Sequence, residues 1–139
     1  MSVTSFYPVL MANDVATTAA FYRDKLGFHV TFDSSWYVSL QLGAFELAIL
    51  DPSHETVPAG FGTGTQGLVL NLEVDDVDAM YTNFSGEDGP RLVLPLRDED
   101  FGQRHFIVEG PGGVLIDVIQ PIPPTAEFAD AYAPGVAAS

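Results

Sequence analysis

Between Arg104 and Pro121 the chain reads RHFIVEGPGGVLIDVIQP, and the fold follows from how this stretch is laid out. Phe106 and Val108 alternate with His105, Ile107 and Glu109, and Val114, Ile116 and Val118 alternate with Leu115, Asp117 and Ile119. That is the period-two pattern of strands with two different faces. Between them stands Gly110-Pro111-Gly112-Gly113. Proline presets φ for a turn and glycine reaches positive φ at little steric cost, so the segment predicts an antiparallel hairpin. One residue is out of keeping: Asp117 lies between Ile116 and Val118 in a very apolar strand. A carboxylate there faces either water or a group that needs negative charge.

The rest of the chain sets the bounds. A length of 139 residues has room for one domain with a substantial core and not for two ordinary ones. No apolar run approaches the ~18 residues of a membrane span, and the N-terminus lacks a basic region followed by an apolar core. A cytoplasmic protein is the expectation. Cysteine is absent, which excludes disulfides, thiolate nucleophiles and thiolate-ligated metals. Five basic residues against 19 acidic ones give a net charge of −14. Such a surface repels phosphate backbones and anionic lipid heads, so neither nucleic acid nor membrane is an expected partner, and it draws in cations. The same charge also serves solubility.

Read in order, the pattern on each side of the middle is the same. Ser5 to Met11 reads as a first strand, with Pro8 suited to an edge or a strand end. Asn13-Asp14 offers an N-cap, Val15, Ala19, Tyr22 and Leu26 form one apolar stripe of a helix, and Gly27 is placed to end it. Strands are predicted at Phe28 to Asp33, Trp36 to Gly43 and Phe45 to Leu50. After a Gly/Thr/Pro-rich connector over residues 53–67, read as a mobile loop, Leu68 to Val74 begins the order again. Asp75-Asp76 caps a helix carrying Val77, Met80 or Tyr81, and Phe84, and Arg91 to Leu96 and the opening hairpin complete it. Ala12-Asn13-Asp14-Val15 matches Val74-Asp75-Asp76-Val77, so the chain reads as a duplicated βαβββ unit of the α+β class, with modules at 5–52 and 68–121 in one domain and a tail at 122–139.

Alternate strand positions sort into two sets. One is apolar and is expected to pack under the helices: Val38, Leu40 and Leu42; Phe45, Leu47 and Ile49; Leu68 to Val74 at every second residue; Phe106 and Val108; Val114, Ile116 and Val118. The other is mixed: Tyr37, Ser39 and Gln41; Glu46 and Ala48; Val69, Asn71 and Glu73; His105, Ile107 and Glu109; Leu115, Asp117 and Ile119. An apolar surface bearing a few spaced polar groups suits a small-molecule cleft; it also suits a half-wet sheet or a dimer surface.

These segments resemble the vicinal oxygen chelate superfamily, the glyoxalase, bleomycin-resistance and dioxygenase group. The resemblance rests on Ala12 to Val15 with Phe21 to Phe28, on Glu73 to Ala79, on Phe101-Gly102-Gln103-Arg104 and on Gly110 to Asp117, and covers roughly residues 6–121. It implies paired βαβββ modules forming a curled mixed sheet around a cleft, commonly in a homodimer. Enzymes of this group hold a divalent metal with a His or Gln on the first strand of each module and a Glu on the last. Here the first-strand positions are Tyr7 and Val69, and valine cannot coordinate. Asp117 takes the last-strand position of the second module, and Glu46 that of the first, or Ala48 if the strand-end prolines are aligned. Of the histidines, His29 adjoins a helix end, His54 lies in the connector and His105 lies on the mixed face.

Three functions are compatible with these residues. The first is a metal-free binding protein of the bleomycin-resistance type, in which Tyr7, Trp36 and Phe101 stack on planar groups, Glu46 and Asp117 meet positive ones, and Tyr37, Gln41, Asn71 and His105 complete the lining. The second is a metal-dependent glyoxalase-like lyase or dioxygenase using Glu46 and Asp117 as ligands to one divalent ion, or one of them as a general base. The third is an interaction domain whose mixed face is a dimer surface. The tail, with Phe128 and Tyr132 among alanines, reads as an arm laid across a partner subunit in preference to a frayed end.

Overall fold

The computed structural model describes residues 1–136. It divides into two units, Met1–Gln66 with Pro111–Gly113, and Gly67–Gly110 with the chain from Val114 onward. The first contains β1 (Val9–Met11), α1 (Val15–Leu26), β2 (His29–Asp33), β3 (Tyr37–Leu42) and β4 (Phe45–Leu50). The second contains β5 (Val69–Glu73), α2 (Val77–Phe84), β6 (Arg91–Glu99), β7 (Gln103–Glu109) and β8 (Leu115–Pro121), followed by the short α3 (Ala126–Ala129). The sheets have orders β1-β4-β3-β2 and β5-β8-β7-β6. In each, the first strand runs parallel to the last and the other pairs are antiparallel. The βαβββ duplication is therefore present as topology. No described helix is long and apolar enough to cross a membrane.

Local chemistry sets the helix ends. The Asp14 carboxylate accepts from the Thr17 amide at 3.0 Å, and Asp76 accepts from the Ala79 amide at 3.1 Å. Each satisfies a donor that the first turn leaves without an intrahelical partner. Gly27 closes α1 in the left-handed conformation, at φ 81°. Helix α1 buries Val15, Ala19 and Tyr22 over β3 and β4, where Val38 faces Ile49 and Leu40 faces Leu47. Helix α2 buries Val77 and Phe84 over β7 and β8, where Phe106 faces Val118 and Val108 faces Ile116. Burial of each of the larger aliphatic and phenylalanine side chains contributes about 1.5–3 kcal/mol.

Several expectations change. The first strand is three residues long, because Pro8 has no N–H to give; only its carbonyl joins the ladder, accepting from Ala48 N. Phe45, expected in the core, is 74 % exposed; it sits beside the β3–β4 turn, past the reach of α1. Ala48 and Ile119, assigned to the mixed face, are fully buried. Strand β6 continues past Leu96 to Glu99, and two one-residue register shifts slide its pairing with β7 by two residues in all, leaving Arg97 and Glu99 on the same face as Arg91.

The connector is tied down. Met11 N donates to Thr65 Oγ1 at 2.8 Å and Thr65 N donates to Met11 O at 2.9 Å. The tail folds back on its own unit, which differs from the arm expected to reach a partner subunit. Ile122 N donates to Gly102 O and Thr125 N to Asp100 O, and Phe128 meets Phe101 edge to face. The backbone bonds and this edge-to-face contact next to the β6–β7 turn supply the anchorage.

Candidate functional site

Strand register assembles the mixed face of the first unit. Tyr37 lies opposite Leu50, Ser39 opposite Ala48, and Gln41 opposite Glu46, while Phe32 on β2 lies opposite Ser39. Because strand side chains alternate, these residues share one side of the sheet. The register shift between Val30 and Phe32 is what brings Phe32 to it.

Two cavities open there. The larger, about 460 Å³, is lined by Phe32, Trp36, Tyr37, Leu50 and Thr56. The smaller, about 210 Å³, is lined chiefly by Tyr7, Thr31, Ser39, Gln41 and Glu46. Tyr37 lines the first, and Ser39, two residues on along β3 and on the same face, lines the second. Burial raises the Tyr37 pKa, and the Tyr7 hydroxyl and the Glu46 charge push it the same way. Glu46 is exposed and accepts from the Ser5 hydroxyl at 3.0 Å.

The aromatic cavity has a rigid wall. Tyr37 lies 5.7 Å from Trp36 and 6.3 Å from Phe32, centroid to centroid. His54 stacks on Trp36 at 3.6 Å, 6° from parallel. Its Nδ1 accepts from the Thr56 amide at 3.2 Å, so the ring nitrogen turned to the backbone carries no proton. The turn that presents it is held by Asp51, which accepts from Ser53 N and Ser53 Oγ at 2.9 and 2.7 Å. Those donors hold the Asp51 carboxyl below its ordinary value.

On the second unit the mixed face carries a buried ionic chain. His105, 4 % exposed, places Nδ1 at 2.7 Å from Asp117 Oδ1 and Nε2 at 2.7 Å from Glu99 Oε2. Ionised carboxylates only accept, so this geometry favours the imidazolium, in which both ring nitrogens carry hydrogens. Burial opposes that charge, but the bonds to Glu99 and Asp117 outweigh it and raise the His105 pKa. Glu99 is held low, first by His105 and also by Arg97, whose Nε donates to it at 2.9 Å. Phe101 covers His105 edge to face, centroids 6.4 Å apart, and Tyr132 donates to the Phe101 carbonyl. Asn71 pairs with Asp117 across β5 and β8 but is exposed.

The expected residues thus fall into two groups. Tyr7, Trp36, Tyr37, Gln41 and Glu46 border the first unit's cavities; Phe101, His105 and Asp117 form one cluster in the second, with Asn71 at its margin. The group that Asp117 requires is His105. Phe32, Thr56 and Glu99 were not singled out from the sequence, since a bulge, a loop turn and an extension of β6 place them.

The donors do not suit a divalent metal. Val69 has no ligating atom, Asp117 is committed to His105, and Glu46 is surrounded by hydroxyls and an amide. Among the described residues no group of three or more His, Asp or Glu side chains converges on a common point for an ion.

The profile of the Glyoxalase/Bleomycin resistance protein/Dioxygenase superfamily matches residues 5–118. A comparison with curated proteins returned no match. Among solved structures, the chain is similar to the bleomycin-binding protein of the bleomycin producer Streptomyces verticillus complexed with copper(II)-bleomycin, at 25 % identity over 85 % of this chain and 96 % of that one, TM-score 0.57. It is similar to TnmS3, an antibiotic binding protein from Streptomyces sp. CB03234, at 22 % identity over 87 % and 98 %, TM-score 0.66. A glyoxalase/bleomycin resistance protein/dioxygenase family enzyme from Burkholderia phytofirmans PsJN shares the fold at 18 % identity over 84 % and 97 %, TM-score 0.71. With the profile spanning both βαβββ units, the chain belongs to the Glyoxalase/Bleomycin resistance protein/Dioxygenase superfamily.

Proposed function

We propose that this protein binds and sequesters an aromatic or cationic small molecule, a metabolite or antibiotic, without a metal ion, as a cytoplasmic homodimer. The observation that carries the proposal is the aromatic cavity of about 460 Å³ bounded by Phe32, Trp36, Tyr37 and Leu50. It is a shallow, open recess whose volume falls in the range of drug-sized pockets, and flat aromatic rings offer contact area at small entropic cost. A net charge of −14 concentrates cations at the surface. The similar proteins described as bleomycin-binding and antibiotic binding support the same direction. Exposed Val3, Phe6, Leu92 and Val93 are apolar surface that a second copy would cover.

Titration calorimetry against cationic glycopeptides and planar aromatic antibiotics, in the presence and absence of EDTA, tests the proposal. At least one compound is expected to bind with micromolar or better affinity, unchanged by EDTA and weakened by Trp36→Ala. Flat titrations across the panel, or binding that vanishes on chelation, would overturn it.

A further inference from the structure

Neither cavity of the first unit is a complete site by itself. The aromatic one is lined by Phe32, Trp36, Tyr37, Leu50 and Thr56, with no charged side chain to orient a guest. The polar one, at about 210 Å³, falls below the ~300 Å³ at which pockets begin to hold drug-sized ligands. It has room for a head group.

The sheet sets their separation. Leu50 lines the aromatic cavity and Glu46 the polar one, on the same strand and the same face, four residues apart. At ~3.3 Å per residue that is about 13 Å. On the neighbouring strand Tyr37 lines the aromatic cavity and Ser39, two residues on and on the same face, lines the polar one. The path between them runs along a single face, past the small side chains of Ser39 and Ala48, which face each other in register.

The polar cavity selects its own chemistry. Glu46 Oε2 already accepts from Ser5, leaving Oε1, and Gln41, Ser39, Thr31 and Tyr7 supply neutral acceptors. One free carboxylate oxygen among neutral acceptors matches an ammonium, whose N–H groups all need acceptors, while no cation is present to hold an anion.

We infer, resting on the binding function proposed above, that the ligand class is a two-ended aryl amine: a planar aromatic group seated on Trp36 and Phe32, joined by a spanning segment of about 10–13 Å to an ammonium at Glu46. Linking the two ends raises affinity because the second contact forms at high effective concentration, and only when the spacer reaches.

The test is a series of naphthyl primary amines with increasing polymethylene spacers, titrated into the full chain by calorimetry and Trp36 fluorescence. Affinity is expected to climb with spacer length to a maximum near the span between the cavities, roughly tenfold above the shortest member, an increment of about 1.4 kcal/mol. Glu46→Gln, an isosteric change at an exposed position, is expected to flatten the length dependence and bring the amine down to its alcohol analogue, with the melting curve unchanged. Trp36→Ala is expected to weaken every member. Binding that is lost in Trp36→Ala but independent of spacer length, or insensitive to Glu46→Gln, would overturn the two-ended ligand and leave the binding function standing. Absence of binding by every member, alongside flat titrations of the antibiotic panel, would remove both.

Discussion

The imidazole of His54 lies flat on the indole of Trp36, centroids 3.6 Å apart and planes 6° from parallel, held by the Thr56 amide at its Nδ1. Trp36 is the single tryptophan, so its emission reports this contact without interference. His54→Ala is expected to shift the emission to the red, increase acrylamide quenching and cost about 0.5–1.5 kcal/mol. His54→Phe should restore the shielding. Emission unchanged in His54→Ala would show that the stack does not persist in solution.

The ionic chain through His105 gives the second unit a pH signature. The raised folded-state pKa of His105 means that its contribution is complete below the unfolded value near 6.5 and is lost as pH rises through the folded one. Glu99, held low, contributes above its unfolded value near 4.5 and loses that contribution as pH falls through the folded one. Denaturant unfolding at a series of pH values should therefore show a loss of stability on the alkaline side of 6.5 that disappears in His105→Ala. A flat alkaline limb in the parent protein would contradict the imidazolium.

Removing the imidazole has a larger effect than titrating it. His105→Ala leaves Asp117 buried opposite Glu99 with no cation between them, and the expected loss is about 3–5 kcal/mol. Exchange of Asp117 to Asn and His105 to Gln together should recover part of it, which a double-mutant cycle measures.

Tyr22 is fully buried on α1, and its hydroxyl has no hydrogen-bond partner among the described residues. Burial pushes its pKa up. Tyr22→Phe keeps the edge-to-face contacts with Phe21 and Phe28 and removes the unpaired group, so thermal unfolding should show no loss and up to about 1 kcal/mol of gain. A loss beyond about 1 kcal/mol would mean that the hydroxyl is bonded to buried water.

Gly102 adopts φ 111°, and a Cβ there would sit 3.0 Å from the Ile122 carbonyl and 3.1 Å from the Tyr132 hydroxyl. Gly102→Ala therefore meets both backbone strain, about 1–3 kcal/mol, and the returning tail. Hydrogen exchange over residues 122–132 should speed up while Trp36 emission stays the same. Equal exchange in both proteins would show that the tail is not held by this turn.

Much of the fold was readable because its determinants are local. Period-two alternation and Gly110-Pro111-Gly112-Gly113 make the hairpin of β7 and β8, and two aspartates three residues before an amide donor start both helices. Repetition of the same order then implies the same topology twice. Phe45 went astray because alternation says which side a residue takes and not how far along the strand the helix extends.

The candidate site was legible only as a face. Tyr37, Gln41 and Glu46 could be placed on one side of the first sheet, and His105 with Asp117 on one side of the second, from side-chain parity alone, while Tyr7 came from the family resemblance. Which of them touch depends on register and on irregular backbone. Glu99 meets His105 because β6 runs on past Leu96 and two one-residue shifts slide its pairing with β7 by two residues, and His54 reaches Trp36 because an Asp51-anchored turn points it there. Periodicity determined the two βαβββ units and most of their cores, and the family resemblance identified the first-strand positions where Tyr7 and Val69 stand in place of an imidazole. Only the tertiary structure decided that Asp117 is neutralised from within and that the aromatic and polar cavities share one strand, since those outcomes rest on contacts between side chains far apart in the chain, and no local preference specifies them.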